Sequence, residues 1–259
     1  MIPFRDDNPT RRFPLVVVAF IAANIAVHIY RWALPPEQNL LFPFTYGAIP
    51  SVLLGQETLA SAVERVLSAH PRFFPFEVRR ALHDGTLPLN SLQPIWLSVF
   101  TSMFLHGDLL HLGGNMLYLW IFGNNVEDTL GHLRFTLFYL LCGCLAAAAQ
   151  VLMSPGSPVP MVGASGAIAG VLGAYYVKFP YARIHCLVFL FFFVTVVALP
   201  AALVLLLWFL LQVYHSLHAG VSQGGGGIAF FAHIGGFLAG YFLIRRFAPR
   251  RRPQPQWWP

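Results

Sequence analysis

The residues best equipped for chemistry in this 259-residue chain are one serine and one histidine, each set among glycines. Ser165 stands in Gly163-Ala164-Ser165-Gly166-Ala167-Ile168-Ala169-Gly170, which opens an apolar segment running to about Val177. The glycines leave its hydroxyl uncrowded, and the first-turn N–H groups of a helix have no intrahelical acceptor. Gly163, Gly166, Gly170 and Gly173 recur every three or four residues, so they line one helical face and let another backbone come close. A matching stripe comes late, in Ala232-His233-Ile234-Gly235-Gly236-Phe237-Leu238-Ala239-Gly240, where His233, Gly236 and Gly240 share a face. Two smooth helices that meet across glycine, one bearing a hydroxyl and the other an imidazole, form the geometry a nucleophile and its base require. A third polar cluster, His106-Gly107-Asp108-Leu109-Leu110-His111-Leu112-Gly113-Gly114-Asn115, puts His111 and Asn115 four residues apart on one face.

The composition sets the solvent for this chemistry. Hydrophobic residues make up 57% of the chain and charged residues only 10%, against about 25% charged in soluble domains. With a mean hydropathy of +0.63, the chain belongs in a lipid bilayer. A polar side chain below the headgroups must find partners or a watery pocket, so each is a functional candidate by default. Metal chemistry is the first rival. His106, Asp108 and His111 can be imagined as ligands, but no His-Glu-x-x-His run supplies a zinc site with its water-activating acid. An aspartyl mechanism needs two carboxylates in one site, whereas Asp108, Glu127 and Asp128 fall at expected helix ends. No metal or cofactor is called for. The net charge of +6 needs no nucleic acid, because the arginines cluster where membrane orientation wants them. Cys142, Cys144 and Cys186 lie in or beside apolar segments and read as packing residues. Nothing in the residues fixes an oligomeric state.

The elements that must position these groups are membrane spans. Residues 1–12 form a polar, basic tail. Apolar segments are expected at Phe13–Ala33, Leu109–Leu130, Thr136–Leu152, Ser165–Lys178 and Ile228–Phe247. The stretch Ile184–Tyr214, with Pro200 inside it, is expected to be one tilted, kinked helix rather than a helical hairpin, for which it is short. Asn24 and His28, four apart in the first span, should face protein rather than lipid. The long first loop, 34–108, holds an amphipathic helix at Gln56–Ser68 with Leu59, Val63, Val66 and Leu67 on one face. That helix suits either the membrane interface or a small loop domain without direct chemistry, and the second is preferred. Residues 13–247 then form one membrane domain, and 248–259 form a basic tail. Gly224–Gly227, just before the last span, could be a mobile lid or a plain connector.

Six spans put both ends on one side. Arg5, Arg11, Arg12, Arg134, Lys178, Arg183, Arg245, Arg246 and Arg250–Arg252 share that side, while connections 154–162 and 215–227 carry no Lys or Arg. The positive-inside rule makes both termini cytoplasmic. Ser165, His111 and His233 then lie toward the opposite side.

Taken together, Phe104-Leu105-His106-x4-His111-x3-Asn115-Met116, Gly123-x3-Glu127-x3-Gly131, Gly163-Ala164-Ser165-Gly166-Ala167-Ile168-x-Gly170 and Ala232-His233-x2-Gly236-x3-Gly240 resemble the rhomboid intramembrane serine proteases. The likeness covers roughly residues 100–247. It implies an all-α, polytopic bundle of six transmembrane helices around a water-accessible cavity. By position, Ser165 would be the nucleophile and His233 the general base. The side chains of His111 and Asn115, with the Ser165 N–H, would form the oxyanion hole. The implied substrates are transmembrane helices of other membrane proteins. Two positions depart from the pattern. Trp96 is followed by Leu97 where many rhomboids have arginine, and Ala169 stands where some hold an aromatic that supports the base, a role Tyr175, Phe230 or Phe231 could take. The alternatives are a non-catalytic rhomboid-like protein that binds membrane clients, and a transporter, which would usually show an internal repeat. No repeat is found.

Overall fold

A computed structural model of the chain describes residues 1–70, 76–84, 93–190, 193–219 and 229–249. Within them the order is β1 (Ile2–Asp6), α1 (Leu15–Trp32), α2 (Pro36–Tyr46), α3 (Pro50–Leu53), α4 (Leu59–Ala69), α5 (Phe76–His83) and α6 (Ser98–Thr101), the last inside a helical run Ile95–Phe104. There follow α7 (Leu109–Leu130), α8 (His132–Met153), α9 (Ser165–Lys178), β2 (Arg183–Leu190), β3 (Phe193–Pro200), α10 (Ala201–Ala219) and α11 (Phe230–Phe247). Among the described residues, three helices are long and apolar enough to cross a membrane alone: α1, α8 and Ala201–His218 of α10. A fourth crossing arises if Ile95–Phe104 and α7, bent by 81° at their junction, count as one broken span. The fold is a helical membrane bundle, as expected. The Gly224–Gly227 run lies outside the described residues.

The bundle is built around α9. Every residue from Ala167 to Tyr175 is buried, which is the signature of a helix enclosed on all sides. It packs against α11, α8, α7 and α10. The α9–α11 contact is backbone on backbone. A methyl group at Gly240 would overlap the Gly170 carbonyl oxygen, one at Gly236 the Gly166 carbonyl, and one at Gly173 the Phe237 carbonyl. On its other side Gly170 meets Cys142 of α8, so that cysteine serves packing.

At the end of the bundle away from Ser165, acids fasten the chain, Glu127 among them buried. Glu127 near the end of α7 accepts hydrogen bonds from Val16 N (2.9 Å) and Val17 N (2.8 Å), capping α1 with a carboxylate where the helix dipole favours one. The neighbouring Asp128 accepts from Arg12 N at 3.0 Å. Asn24 and His28 of α1 are buried as expected, with Asn24 Nδ2 donating to the Phe20 carbonyl.

Two expectations fail in the same place. Arg183–Leu190 and Phe193–Pro200 are neither part of one kinked helix nor half of a helical hairpin; they are the antiparallel strands β2 and β3, and the helix begins only at Ala201. The stretch is rich in β-branched and aromatic residues, and an apolar run of this kind does not by its periodicity distinguish strand from helix. Pro200 marks the junction: it ends the strand and, lacking an N–H, sits comfortably just before the first turn of α10. Nor are residues 1–12 merely a tail. Ile2–Asp6 pairs with β2 to complete a three-stranded sheet of order β1-β2-β3. The β1 end is tied down by Asp6, which accepts hydrogen bonds from Tyr175 Oη at 2.5 Å and Asn125 Nδ2 at 2.9 Å.

The described residues of the first loop are folded. In α4, capped by Thr58 (Oγ1 accepting from Ser61 N at 3.2 Å), the buried face Ala62, Val63 and Leu67 packs on Leu41, Phe44, Ile49 and Val52 in a small cluster of its own. This cluster, and not a lipid surface, receives the amphipathic face.

Two outcomes follow. Gly240→Ala forces α9 and α11 apart and is expected to cost at least about 2 kcal/mol, lowering the melting temperature in detergent; Gly113→Ala, which meets nothing within 4 Å, should not lower it. Burial holds the Asp6 carboxyl above its ordinary value of 3.8 despite the opposing Tyr175 hydrogen bond. The folded chain therefore keeps a proton that the unfolded chain releases, and this group's contribution to stability falls as pH rises from about 4 through the raised value. The stability of Asp6→Asn relative to wild type should grow across that range in thermal melts at stepped pH.

Candidate active site

Ser165 is the first residue of α9, and its approach is held by the loops. Gly163 has φ of +124°, a conformation in which a side chain is strained. A Cβ there would also fall 2.8 Å from His111 Nε2 and 3.5 Å from Ser165 Oγ. The segment is stitched to the first loop: Gly163 N donates to Ser102 O (2.9 Å), Met161 N to Ala48 O (2.8 Å), and Ser51 Oγ to Ser157 O (2.9 Å). The loop thus braces the path into the serine. Ser165 does not cap its own helix; its Oγ lies 2.8 Å from His233 Nε2.

His233 sits in the first turn of α11. Trp208 of α10 lies tilted against its ring, with centroids 5.9 Å apart, and Phe230 meets it edge-on at 6.4 Å. Its Nδ1 is 2.8 Å from Gln212 Oε1, also on α10. Of the aromatics considered for supporting the base, Phe230 does touch it; Tyr175 is engaged with Asp6 instead. Trp208 and Gln212 were missed because they lie in the stretch whose start was misassigned. A Trp and a Gln four residues apart in an apolar helix were the available signal.

His111 and Asn115 project from α7 into the same space. Asp108 caps that helix, accepting from His111 N at 2.8 Å. Asn115 Nδ2 and His106 Nε2 are 2.8 Å apart, and the His106 and His111 rings meet edge to face at 5.0 Å. His106 is buried, and its carbonyl accepts from Arg31 Nη1 at 2.6 Å, which fastens the α7 entry to the end of α1. His106 therefore serves as an orienting residue for Asn115, a role its sequence spacing alone does not single out.

All four expected site residues, His111, Asn115, Ser165 and His233, are half-buried and line one open cleft enclosing about 610 Å³ of free space, together with Gln212 and Trp208. A second recess of about 390 Å³ reaches Ser165 from its other side, walled by Gly143, Ala146, Ala147, Gly166 and Ala167 among others. Chemically the cleft offers a hydroxyl on an imidazole nitrogen, two side chains able to donate, and a helix N-terminus whose dipole favours an anion. Among the described residues no cluster of three His, Cys, Asp or Glu side chains could hold a metal.

The chain matches known proteins over this same region. A family model described as the Rhomboid domain matches residues 93–250, more than half of the chain. "Rhomboid protease GluP" of Bacillus subtilis is 44% identical over 87 residues, 33% of this chain and 17% of that one. "Rhomboid protein 1, mitochondrial" of Saccharomyces cerevisiae is 38% identical over 97 residues (36% and 28%). "RHOMBOID-like protein 6, mitochondrial" of Arabidopsis thaliana is 31% identical over 164 residues (61% and 45%). The chain spans less than half the length of each of these relatives. By the match of the Rhomboid domain over residues 93–250, this chain belongs to the rhomboid family.

Proposed function

We propose that the chain is an intramembrane serine endopeptidase that hydrolyses peptide bonds in or near transmembrane helices of other membrane proteins. The observation that carries this reading is the 2.8 Å contact between Ser165 Oγ and His233 Nε2 across the glycine-lined junction of α9 and α11. In the first step His233 Nε2 takes the Ser165 proton as Oγ attacks the scissile carbonyl. The tetrahedral oxyanion is met by the side chains of His111 and Asn115 and by the Ser165 N–H, which has no intrahelical acceptor. His233 then gives the proton to the leaving amine, and a water activated by the same imidazole releases the acyl group. No cofactor takes part.

The proposed membrane setting rests on the charge pattern of the chain. With both termini cytoplasmic, six crossings within residues 13–247 (first loop 34–108 included) and the segments 1–12 and 248–259 on that side, Ser165 faces the opposite leaflet. The 14 residues of α9 make a helix about 21 Å long, shorter than the roughly 30 Å hydrocarbon core. A helix anchored by Lys178 at the cytoplasmic face therefore ends inside the membrane, where the open cleft can admit water. A helical substrate hides its peptide bonds in hydrogen bonds, so segments weakened by glycine are favoured. The recess walled by Gly143, Ala146 and Ala147 suits a small side chain at the cut.

Replacing Ser165 or His233 with alanine should lower cleavage of a membrane-embedded reporter by on the order of 10⁴-fold or more with expression unchanged, and a fluorophosphonate probe should label wild type at Ser165 only. Undiminished cleavage by Ser165→Ala would remove the dyad assignment, and absence of cleavage by the wild type would leave a client-binding protein. Asn115→Ala and His111→Ala should each reduce kcat by about 10²–10³-fold with little change in KM, as read from initial rates in proteoliposomes.

A further inference from the structure

A serine–histidine pair works only if the histidine presents the correct nitrogen. To take the Ser165 proton, Nε2 must carry a lone pair, so in the neutral ring the proton must sit on Nδ1. Some group has to select that tautomer and hold the ring plane. In this chain the atom at Nδ1 is the side-chain oxygen of Gln212, at 2.8 Å. An amide can turn either its oxygen or its nitrogen toward an imidazole, and only the oxygen gives the required tautomer. Here Gln212 Nε2 faces the Trp208 carbonyl one turn earlier at 3.4 Å, which leaves Oε1 for the ring. Trp208 also lies against the imidazole.

We propose that Gln212 is the positioning residue for His233, the third member of a relay Gln212–His233–Ser165 supplied by α10, α11 and α9. This rests on the serine-protease reading above. Gln212 does not touch the reacting atoms. It fixes the Nδ1–H tautomer before attack, and accepts a charge-assisted hydrogen bond from the imidazolium once Nε2 has taken the serine proton. A neutral acceptor fits the location, since a carboxylate in the same place would carry a charge into the membrane interior. Among the described residues, the other titratable side chains lining the cleft with His233 are His111 and Tyr118, both of α7.

The test uses the full chain in proteoliposomes with a transmembrane reporter. Met and Glu both approximate the size of Gln, but only Glu keeps an acceptor. Gln212→Met is expected to lower kcat by about 10²-fold with KM within about twofold of wild type, and to slow fluorophosphonate labelling of Ser165 in proportion. Gln212→Glu should recover most of that loss at unchanged KM. Wild-type kcat in Gln212→Met, or equal losses in the Met and Glu variants, would overturn the inference while leaving the dyad intact if Ser165→Ala and His233→Ala are dead. Cleavage that persists in those two alanine variants would overturn both.

Discussion

The close approach of α9 and α11 is the constraint on which everything else rests. Three glycines, at 173, 236 and 240, each stand where a methyl group would run into a carbonyl oxygen of the facing helix. In a bilayer the usual hydrophobic drive between helices is absent, since lipid tails are as apolar as the side chains they would replace. Association then depends on dense van der Waals contact, and that contact is densest when side chains are missing. The same absence of side chains sets the separation of Ser165 and His233, because each lies in the first turn of one of these two helices. Packing and geometry are thus one requirement here: a residue that pushed the axes apart would also take the hydroxyl out of reach of the imidazole.

Around this pair, other segments remove freedom rather than add chemistry. The first loop carries its own small apolar cluster and lends backbone groups at Ala48, Ser51 and Ser102 to the segment 157–163. That segment must pass through a positive φ at Gly163 before the helix starts. Held on both sides, it delivers Ser165 with its N–H unpaired within the helix and its Oγ uncommitted to capping. At the opposite end, β1 is pinned by β2, Tyr175 and Asn125, so the far terminus of α9 is fixed as well. A central helix secured at both ends is a sensible carrier for a nucleophile, since its rigidity need not be re-established for each substrate.

The site was more legible in the sequence than the scaffold near it. Ser165, His233, His111 and Asn115 could be found because polar groups among glycines in an apolar chain have few structural explanations, and α7 and α9 begin and end where their caps and apolar runs say they should. Residues 183–200 were not legible, because a buried or lipid-facing strand and a spanning helix are both uninterrupted apolar runs. Only the density of Ile, Val, Phe and Thr and the position of Pro200 separate them. The N-terminal strand was hidden for a different reason: its pairing partner lies about 180 residues away, and no local pattern encodes so distant a contact. Gln212 was obscured by the same misreading of where α10 starts. His106 touches Asn115 from behind the cleft and Arg31 acts only through the His106 carbonyl, so their spacing carries no signal of its own.

The distribution of charge along the bundle is consistent with a proposed relay that lacks an acid. Glu127, Asp128 and Asp6 take on structural bonds at the end of the bundle away from Ser165, where each is met by backbone N–H groups or by neutral donors, while Glu57 in the first loop pairs with Arg65. At the other end Asp108 is exposed and spent on the α7 cap, and the cleft itself is furnished with imidazoles, amides and a hydroxyl. A buried carboxylate facing an imidazole would raise the cost of the resting state by its own desolvation, and that cost grows where lipid surrounds the site. An amide oxygen supplies direction and a proton acceptor with far less to desolvate. It gives up some stabilisation of the imidazolium in return, and the shortfall has to be made good at the oxyanion, where donors and a helix N-terminus already converge.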